Sequence, residues 1–409
     1  MNVVLMGARR EAVDALLNAG HRTTLLHELW EEANVAPRRD RLAHACVVDS
    51  YLSVESLWSD LHHAGAISAG IDVIVSVGEY GVVPAAILGR LVGAQSLDPS
   101  VAHRCRDKAL QKAAWRSAGI PIAQWVVLAD AVAHPESVRE SVVAAKLEKP
   151  FIVKPIAGTG TRNVSLAQDE DELLAVVARQ AVDDKSLRLM IEERIQGAEW
   201  HFDGIVTRGE LHTLLVSRYL SPLIDTKNGH PTATVSFQPA RHEDLYDAAR
   251  DITRRALSAL GLNDGVFHFE VFAKDGTLDF VAGELAARPG GNWISKIVQN
   301  VTGVDIWAAA TQVFTGDNIE RAAPLSRSVF GYTHLPTLPG GVNRVISAEI
   351  EHLPGVTEVL LRIPYGEVMP DMRTSSATSL GLVMIEAPSV RECESAMARV
   401  VSKVMEVNG

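Results

Sequence analysis

Residues 265–291 read GVFHFEVFAKDGTLDFVAGELAARPGG. Two runs alternate apolar and polar residues, so 265–273 and 277–285 are expected as neighbouring strands. In the first, alternation puts His268, Glu270 and Phe272 on one face and Phe267, Phe269 and Val271 on the other. In the second, Glu284 shares its face with Ala282 and Phe280. Asp275-Gly276 between them is a hairpin signal, and its length leaves two registers open. A two-residue loop sets the two glutamates on opposite faces. A three-residue loop, 275–277, sets Glu270 across from Ala282 and His268 across from Glu284. The glutamates are then diagonal neighbours, about 7–8 Å apart at the backbone. In that register the side chains converge on one or two hard cations, and oxygen ligands with few histidines favour Mg²⁺ over Zn²⁺. Carboxylates on a phenylalanine-rich face need such a partner, because an unpaired buried charge is costly. The plainer alternative is a surface hairpin with an ordinary ion pair. Arg288, beside Gly290-Gly291, carries a planar fork suited to a carboxylate or phosphate.

Upstream, FIVKP (Phe151–Pro155) reads as a strand that carries Lys154 into AGTGTRNV. Gly158 and Gly160 allow backbone amides to turn inward around anionic oxygens, Thr159 and Thr161 add hydroxyls, and Arg162 adds charge. The GxxxxGK[ST] loop is absent, and taken alone this loop fits a solvated turn. The next helix opens at Asp169 with Glu172 three residues on, a capping box. Its apolar stripe is Leu173, Val176, Val177 and Ala181. Strands are expected over 188–193, 202–206 and 210–217. Glu192 and Glu193 end the first of these. They are placed to meet an adenine amine or ribose hydroxyls, and they equally fit a solvated acidic turn. Residues 219–237 form a long irregular run, the kind that makes lids and binding loops. A helix over 245–260 follows.

The first hundred residues alternate strands (2–6, 23–26, 46–48, 73–77) with helices (11–18, 83–91), which implies a parallel sheet with helical crossovers. Gly7 follows the first strand, but GARREA lacks the second and third glycines of GxGxxG, which argues against dinucleotide binding. A helix over 104–118 is stopped by Gly119 and Pro121. Residues 328–409 read as a small α+β module.

At 409 residues, two or three domains are expected. Lys+Arg number 39 against 50 Asp+Glu, a net charge of −11, so the basic surplus of a nucleic-acid binder is missing. The three cysteines, 46, 105 and 393, are far apart and form neither a disulfide framework nor a CxxC zinc pair. No apolar run reaches membrane-spanning length and MNVVLMGARR lacks signal-peptide form, so a cytoplasmic protein without a membrane partner is expected.

The order of these pieces is more specific than any one of them. A Rossmann-like start, Arg106-Asp107-Lys108, FIVKP with its Gly-rich loop, EERIQGAE, HFE and GELAARPGG together resemble the ATP-grasp superfamily over about residues 1–316. The segment 328–409 resembles the closing lobe of its carboxylate–amine ligases. The L-amino-acid ligase (dipeptide synthetase) branch, in which HFE…GELAARPGG…TGVD recurs, is the nearest likeness. The resemblance implies an α/β chain, α+β in its ATP-binding part, with an ATP-grasp fold. Its parts are a Rossmann-like domain (1–100), a small ATP-grasp lobe (101–190), a large lobe (191–327) and the C-terminal module (328–409).

The resemblance also implies roles. Lys108 and Lys154 match the lysines that bind ATP phosphates, and Gly158, Thr159, Gly160 and Thr161 match the loop that closes over them. Glu192, Glu193 and Ile195 match the hinge that holds adenine, and Glu199 the ribose ligand. Glu270 and Glu284 match the ligands of Mg²⁺, or of Mn²⁺ in its place. Arg288 matches the arginine that meets the substrate carboxylate or acyl phosphate, and His230 a substrate-side histidine. Many members carry asparagine two residues after the second metal-binding glutamate; Ala286 stands there in this chain. Trp293 either shapes the substrate pocket or belongs to the core. The implied activity is acyl-phosphate formation from a carboxylate, an amino acid by this likeness, followed by capture by an amine. The rivals are a carboxylating or purine-pathway-type ligase using bicarbonate or formate, a kinase-like member, and a non-catalytic ATP-binding regulator. Small-molecule substrates and a homodimer are expected.

Overall fold

The computed structural model of the chain describes residues 1–128, 135–183, 188–321 and 325–409. Strands β1 (Asn2–Met6), β2 (Arg22–His27), β3 (His44–Val47) and β4 (Val73–Ser76) form a parallel sheet in the order β3-β2-β1-β4. This is the alternation the first hundred residues imply. Strand order reverses between β1 and β4, so the loops after Met6 and Ser76 open a crevice at the carboxyl ends of the strands, where α/β sheets bind ligands.

The expected helix over 104–118 is two helices, Pro99–Arg104 and Lys108–Ser117. Asp107 divides them: its Oδ1 accepts the Ala109 and Leu110 N–H groups at 2.8 and 3.0 Å, an N-cap within the apparently continuous pattern.

β5 (Trp125–Val127), β6 (Phe151–Pro155), β7 (Ser165–Ala167) and β8 (Leu189–Glu193) form an antiparallel sheet ordered β5-β8-β6-β7. Helices Pro135–Ala144 and Glu170–Asp183 cover it, with Val138, Val142, Leu173, Val176 and Val177 packed on Phe151, Val153 and Ile191. The Ala181 side chain of that stripe lies outside the described residues. Asp169 caps the second helix through the Glu172 N–H (2.9 Å), but the Glu172 carboxylate reaches Gln168 N (2.8 Å), one residue before the position a capping box uses.

The third sheet is antiparallel and eight-stranded. Its strands are β9 (Ala198–Thr207), β10 (Glu210–Tyr219), β11 (Ala233–Phe237), β12 (Gly265–Ala273), β13 (Val281–Ala286), β14 (Val329–Leu335), β15 (Val356–Leu361) and β16 (Gly381–Ala387). Their order is β13-β12-β9-β10-β11-β14-β16-β15. Two expectations change here. Residues 328–409 do not stand apart, because β14, β15 and β16 extend the large lobe's own sheet. The run 219–237 is not wholly irregular, because its end is β11, buried along its whole length between β10 and β14. Thr234 and Ser236 obscure β11 in the sequence, yet both are satisfied inside by carbonyls, Arg218 O at 3.1 Å and Phe330 O at 2.8 Å.

Strand alternation divides the core. Phe202, Val206, Phe267 and Phe269 share one core with Tyr246, Ala249 and Leu257 of helix Glu243–Leu260, and helix Val390–Asn408 packs on β11, β14 and β16. On the other face, Ile205, Leu215 and Val266 meet helices Ile294–Thr302 and Ile306–Thr315, which also pack on the N-terminal sheet. At Gly204 a Cβ would lie 2.1 Å from Thr213 O and 2.7 Å from Phe267 Cζ. The first of these is backbone and cannot step aside. Gly204→Ala is therefore expected to cost about 1–3 kcal/mol or more, read as a fall of several degrees in the thermal midpoint.

Candidate active site

β12 and β13 settle the register question in a third way. Glu270 pairs directly with Glu284, Val271 with Ala282 and His268 with Ala286, so Gly283 is the extra residue of a β-bulge. The bulge brings the two carboxylates directly opposite each other, on the side of the sheet away from Phe267 and Phe269. They line a cavity of about 960 Å³ to which all parts of the fold contribute. That volume is at the upper end of the range for small-molecule sites.

Lys108, Lys154, Thr159, Gly160, Thr161, Glu192, Glu193, Ile195, Glu199, Glu270, Glu284 and Arg288 line this cavity. Gly158 takes part through its carbonyl, which accepts from Arg106 (2.8 Å) and Lys108 (3.3 Å). His230 is placed elsewhere: it is exposed beside the short helical turn Leu223–Asn228 and is absent from the cavity lining. Trp293 packs in the core under Lys296 rather than lining the cavity.

Three cations of the site rest on carboxylates. Lys108 Nζ is 2.8 Å from Glu284 Oε1, Lys154 Nζ is 2.5 Å from Glu192 Oε1, and Arg288 Nε is 2.5 Å from Glu79 Oε2. Two more cations complete the network. Lys112 Nζ lies 2.8 Å from Glu192 Oε2, and Arg106 lies 3.4 Å from Glu79. Burial alone would raise the Glu192 carboxyl, but Lys112 and Lys154 overcome it and hold the group at about 2. Glu284 is likewise lowered against its burial by Lys108 and Lys154. Glu199 goes the other way, to about 8, through burial and the neighbouring Glu270 charge; its carboxylate accepts the Leu223 N–H at 2.8 Å.

Beneath Glu270 runs a buried polar chain. Nδ1 of His201 and Nδ1 of His268 donate to the two oxygens of Asp203 at 2.6 and 2.8 Å, and His268 Nε2 faces Glu270 Oε1 at 3.4 Å. Burial opposes charge on His268, but Asp203 and Glu270 outweigh it and raise the ring to about 10. By residue type, His201, Asp203 and His268 are also a metal-ligand set. Here each Nδ1 is spent on its own Asp203 oxygen, so the trio fixes the pose of His268.

Glu79, Arg106, Lys112, His201 and Asp203 were not legible as site residues, although signals existed. Lys112 is one helical turn after Lys108. Glu79 follows β4 at the switch point of the sheet. His201 and Asp203 share the cavity side of β9 by alternation.

Residues 147–297 match the family described as "ATP-grasp domain". The chain carries an ATP-grasp domain within an ATP-grasp fold. In sequence it is 26% identical over 314 residues to the L-arginine-specific L-amino acid ligase of Bacillus subtilis, across 75% of this chain and 73% of that protein. In structure it resembles an L-amino acid ligase from Bacillus licheniformis (TM-score 0.77, 17% identity, 98% of this chain and 97% of that one). It also resembles the carboxyaminoimidazole ribonucleotide synthase of Aspergillus clavatus complexed with ATP (TM-score 0.73, 15% identity, 99% of each chain). No helix among the described residues is long and apolar enough to cross a membrane.

Proposed function

We propose that this protein is an ATP-dependent ligase that activates a carboxylate, most simply that of an amino acid, and joins it to an amine. The observation that carries the reading is the direct opposition of Glu270 and Glu284, with Lys108, Lys154 and Arg288 around the same cavity. Two facing carboxylates are a donor set of hard oxygens and fit Mg²⁺, or Mn²⁺. Ala286, facing His268, adds no ligand atom, so the pair supplies the protein's share. Such an ion would supply charge neutralisation at the ATP phosphates.

The chain's own residues do the remaining work. Lys108 and Lys154 sit on carboxylates that hold them in place for phosphate oxygens, and the 193–195 segment lines the cavity where adenine and ribose would lie, with Glu199 beside it. Arg288 has a planar fork that can leave Glu79 for a substrate carboxylate. That carboxylate attacks the γ-phosphorus, ADP leaves, and an acyl phosphate forms. Attack by the amine then expels phosphate and releases a proton, giving the amide. Most of the rate acceleration asked of such a site is positioning and charge stabilisation.

The test is phosphate release from ATP with Mg²⁺, screened over amino acids singly and in pairs, with mass spectrometry of the products. Release that requires a carboxylate and an amine together, with the amide mass appearing, is expected. Release driven by bicarbonate with no amide, or ATP binding with no release from any pair, would overturn the reading.

A further inference from the structure

The Gly-rich loop 157–164 is held from both ends of the chain. Thr161 is buried, and its Oγ1 accepts the backbone N–H of Ser376 at 2.9 Å. Thr159 Oγ1 meets the Tyr80 hydroxyl at 3.4 Å. Gly160 adopts φ +54°, and a Cβ there would come within 3.6 Å of Ser376 Oγ, so the loop lies directly against this segment. The segment is itself anchored on the large lobe. Thr232 Oγ1 donates to Ser376 O at 3.2 Å, and Lys227 Nζ donates to Thr374 O at 3.4 Å. Ser375, Ser376 and Ala377 line the cavity. The C-terminal region thus presents one fixed N–H to one hydroxyl of the phosphate loop.

We propose that residues 371–378 latch the phosphate loop shut and that Thr161 is the positioning residue on which the latch closes. This rests on the ligase reading. In a sealed site the acyl phosphate meets the amine, giving amide, phosphate and a proton. In an unsealed site it meets water, giving the original carboxylate and phosphate. Both routes release one phosphate per ATP, so the ratio of phosphate to amide measures the seal.

Thr161→Val keeps the side chain's shape and removes the acceptor. The loss of one hydrogen bond shifts the closed-to-open ratio by about 2- to 10-fold. Phosphate released in excess of amide, per amide formed, is expected to rise by that factor. Tryptic cleavage after the exposed Arg162, followed by mass as fragments 1–162 and 163–409, is expected to accelerate to match. Thr161→Ser retains the hydroxyl and should restore both readouts. An active Thr161→Val enzyme with the wild-type product ratio, unchanged cleavage at Arg162, or failure of Thr161→Ser to rescue would each overturn the latch. Cleavage is read without turnover, so if the wild-type protein makes no amide, the ligase reading falls while the latch is still decided.

Discussion

Glu284→Gln is expected to lower ATP-dependent turnover by at least about 10³-fold while shifting the thermal midpoint by only a few degrees. Charge stabilisation of several kcal/mol at the transferring phosphoryl group is lost when a carboxylate ligand becomes a neutral amide, and each 1.36 kcal/mol is tenfold in rate. The fold survives because the amide oxygen still accepts from Lys108, which now lies 2.8 Å from Glu284 Oε1, and because this side chain is 29% exposed. Steady-state kinetics beside a melting curve separates the two effects. Retention of near-wild-type turnover would sink the assignment of Glu284 as a metal ligand.

Glu192→Gln should behave in the opposite sense, with stability as the first casualty. Glu192 is the shared partner of Lys112 and Lys154, which are 1% and 9% exposed. Removing its charge leaves two buried ammonium groups without their ion-pair partner, with Glu284 and, at Lys154, Glu270 acting only from beyond ion-pair distance, and breaking a buried pair in this way costs about 3–5 kcal/mol. Acid makes a second test. The folded carboxyl sits at about 2, below its ordinary 4.5, so its stabilisation is complete above 4.5 and is lost as pH falls through 2. That difference corresponds to about 3 kcal/mol. Midpoints measured from pH 7 downward should therefore fall less steeply below pH 4.5 in Glu192→Gln than in the wild-type protein. A variant with an unchanged midpoint at pH 7 would show that the lysines do not depend on Glu192.

The two variants separate two kinds of acidic residue that the sequence presents alike. Glu270 and Glu284 lie within strands in an apolar stretch, and so does Glu192. The side chain of Glu192, expected beside adenine, lies between Lys112 and Lys154. Glu193, its neighbour on the opposite face of β8, turns to the Glu148 N–H at 2.9 Å. His230 and His268 make a similar contrast. The histidine of Gly229-His230-Pro231 sits outside the cavity, and the one within the strict strand pattern sits inside, oriented by Asp203.

By itself the sequence determined whatever depends on near neighbours. The parallel strands at the start, the Gly-rich loop after Lys154, the face shared by His268, Glu270 and Phe272, and the phenylalanine face behind them all follow from periods of two and 3.6 residues. The tertiary structure alone decided what meets across long separations. It joined Arg288 to Glu79, 209 residues away, and Thr161 to Ser376, 215 residues away. It added β14, β15 and β16 to the large sheet, and inserted the bulge at Gly283 that turns the glutamates from diagonal to opposed. Side-chain periodicity specifies which face of an element is buried. It carries no record of register or of the partner strand, which are settled when whole sheets compete for the same buried surface.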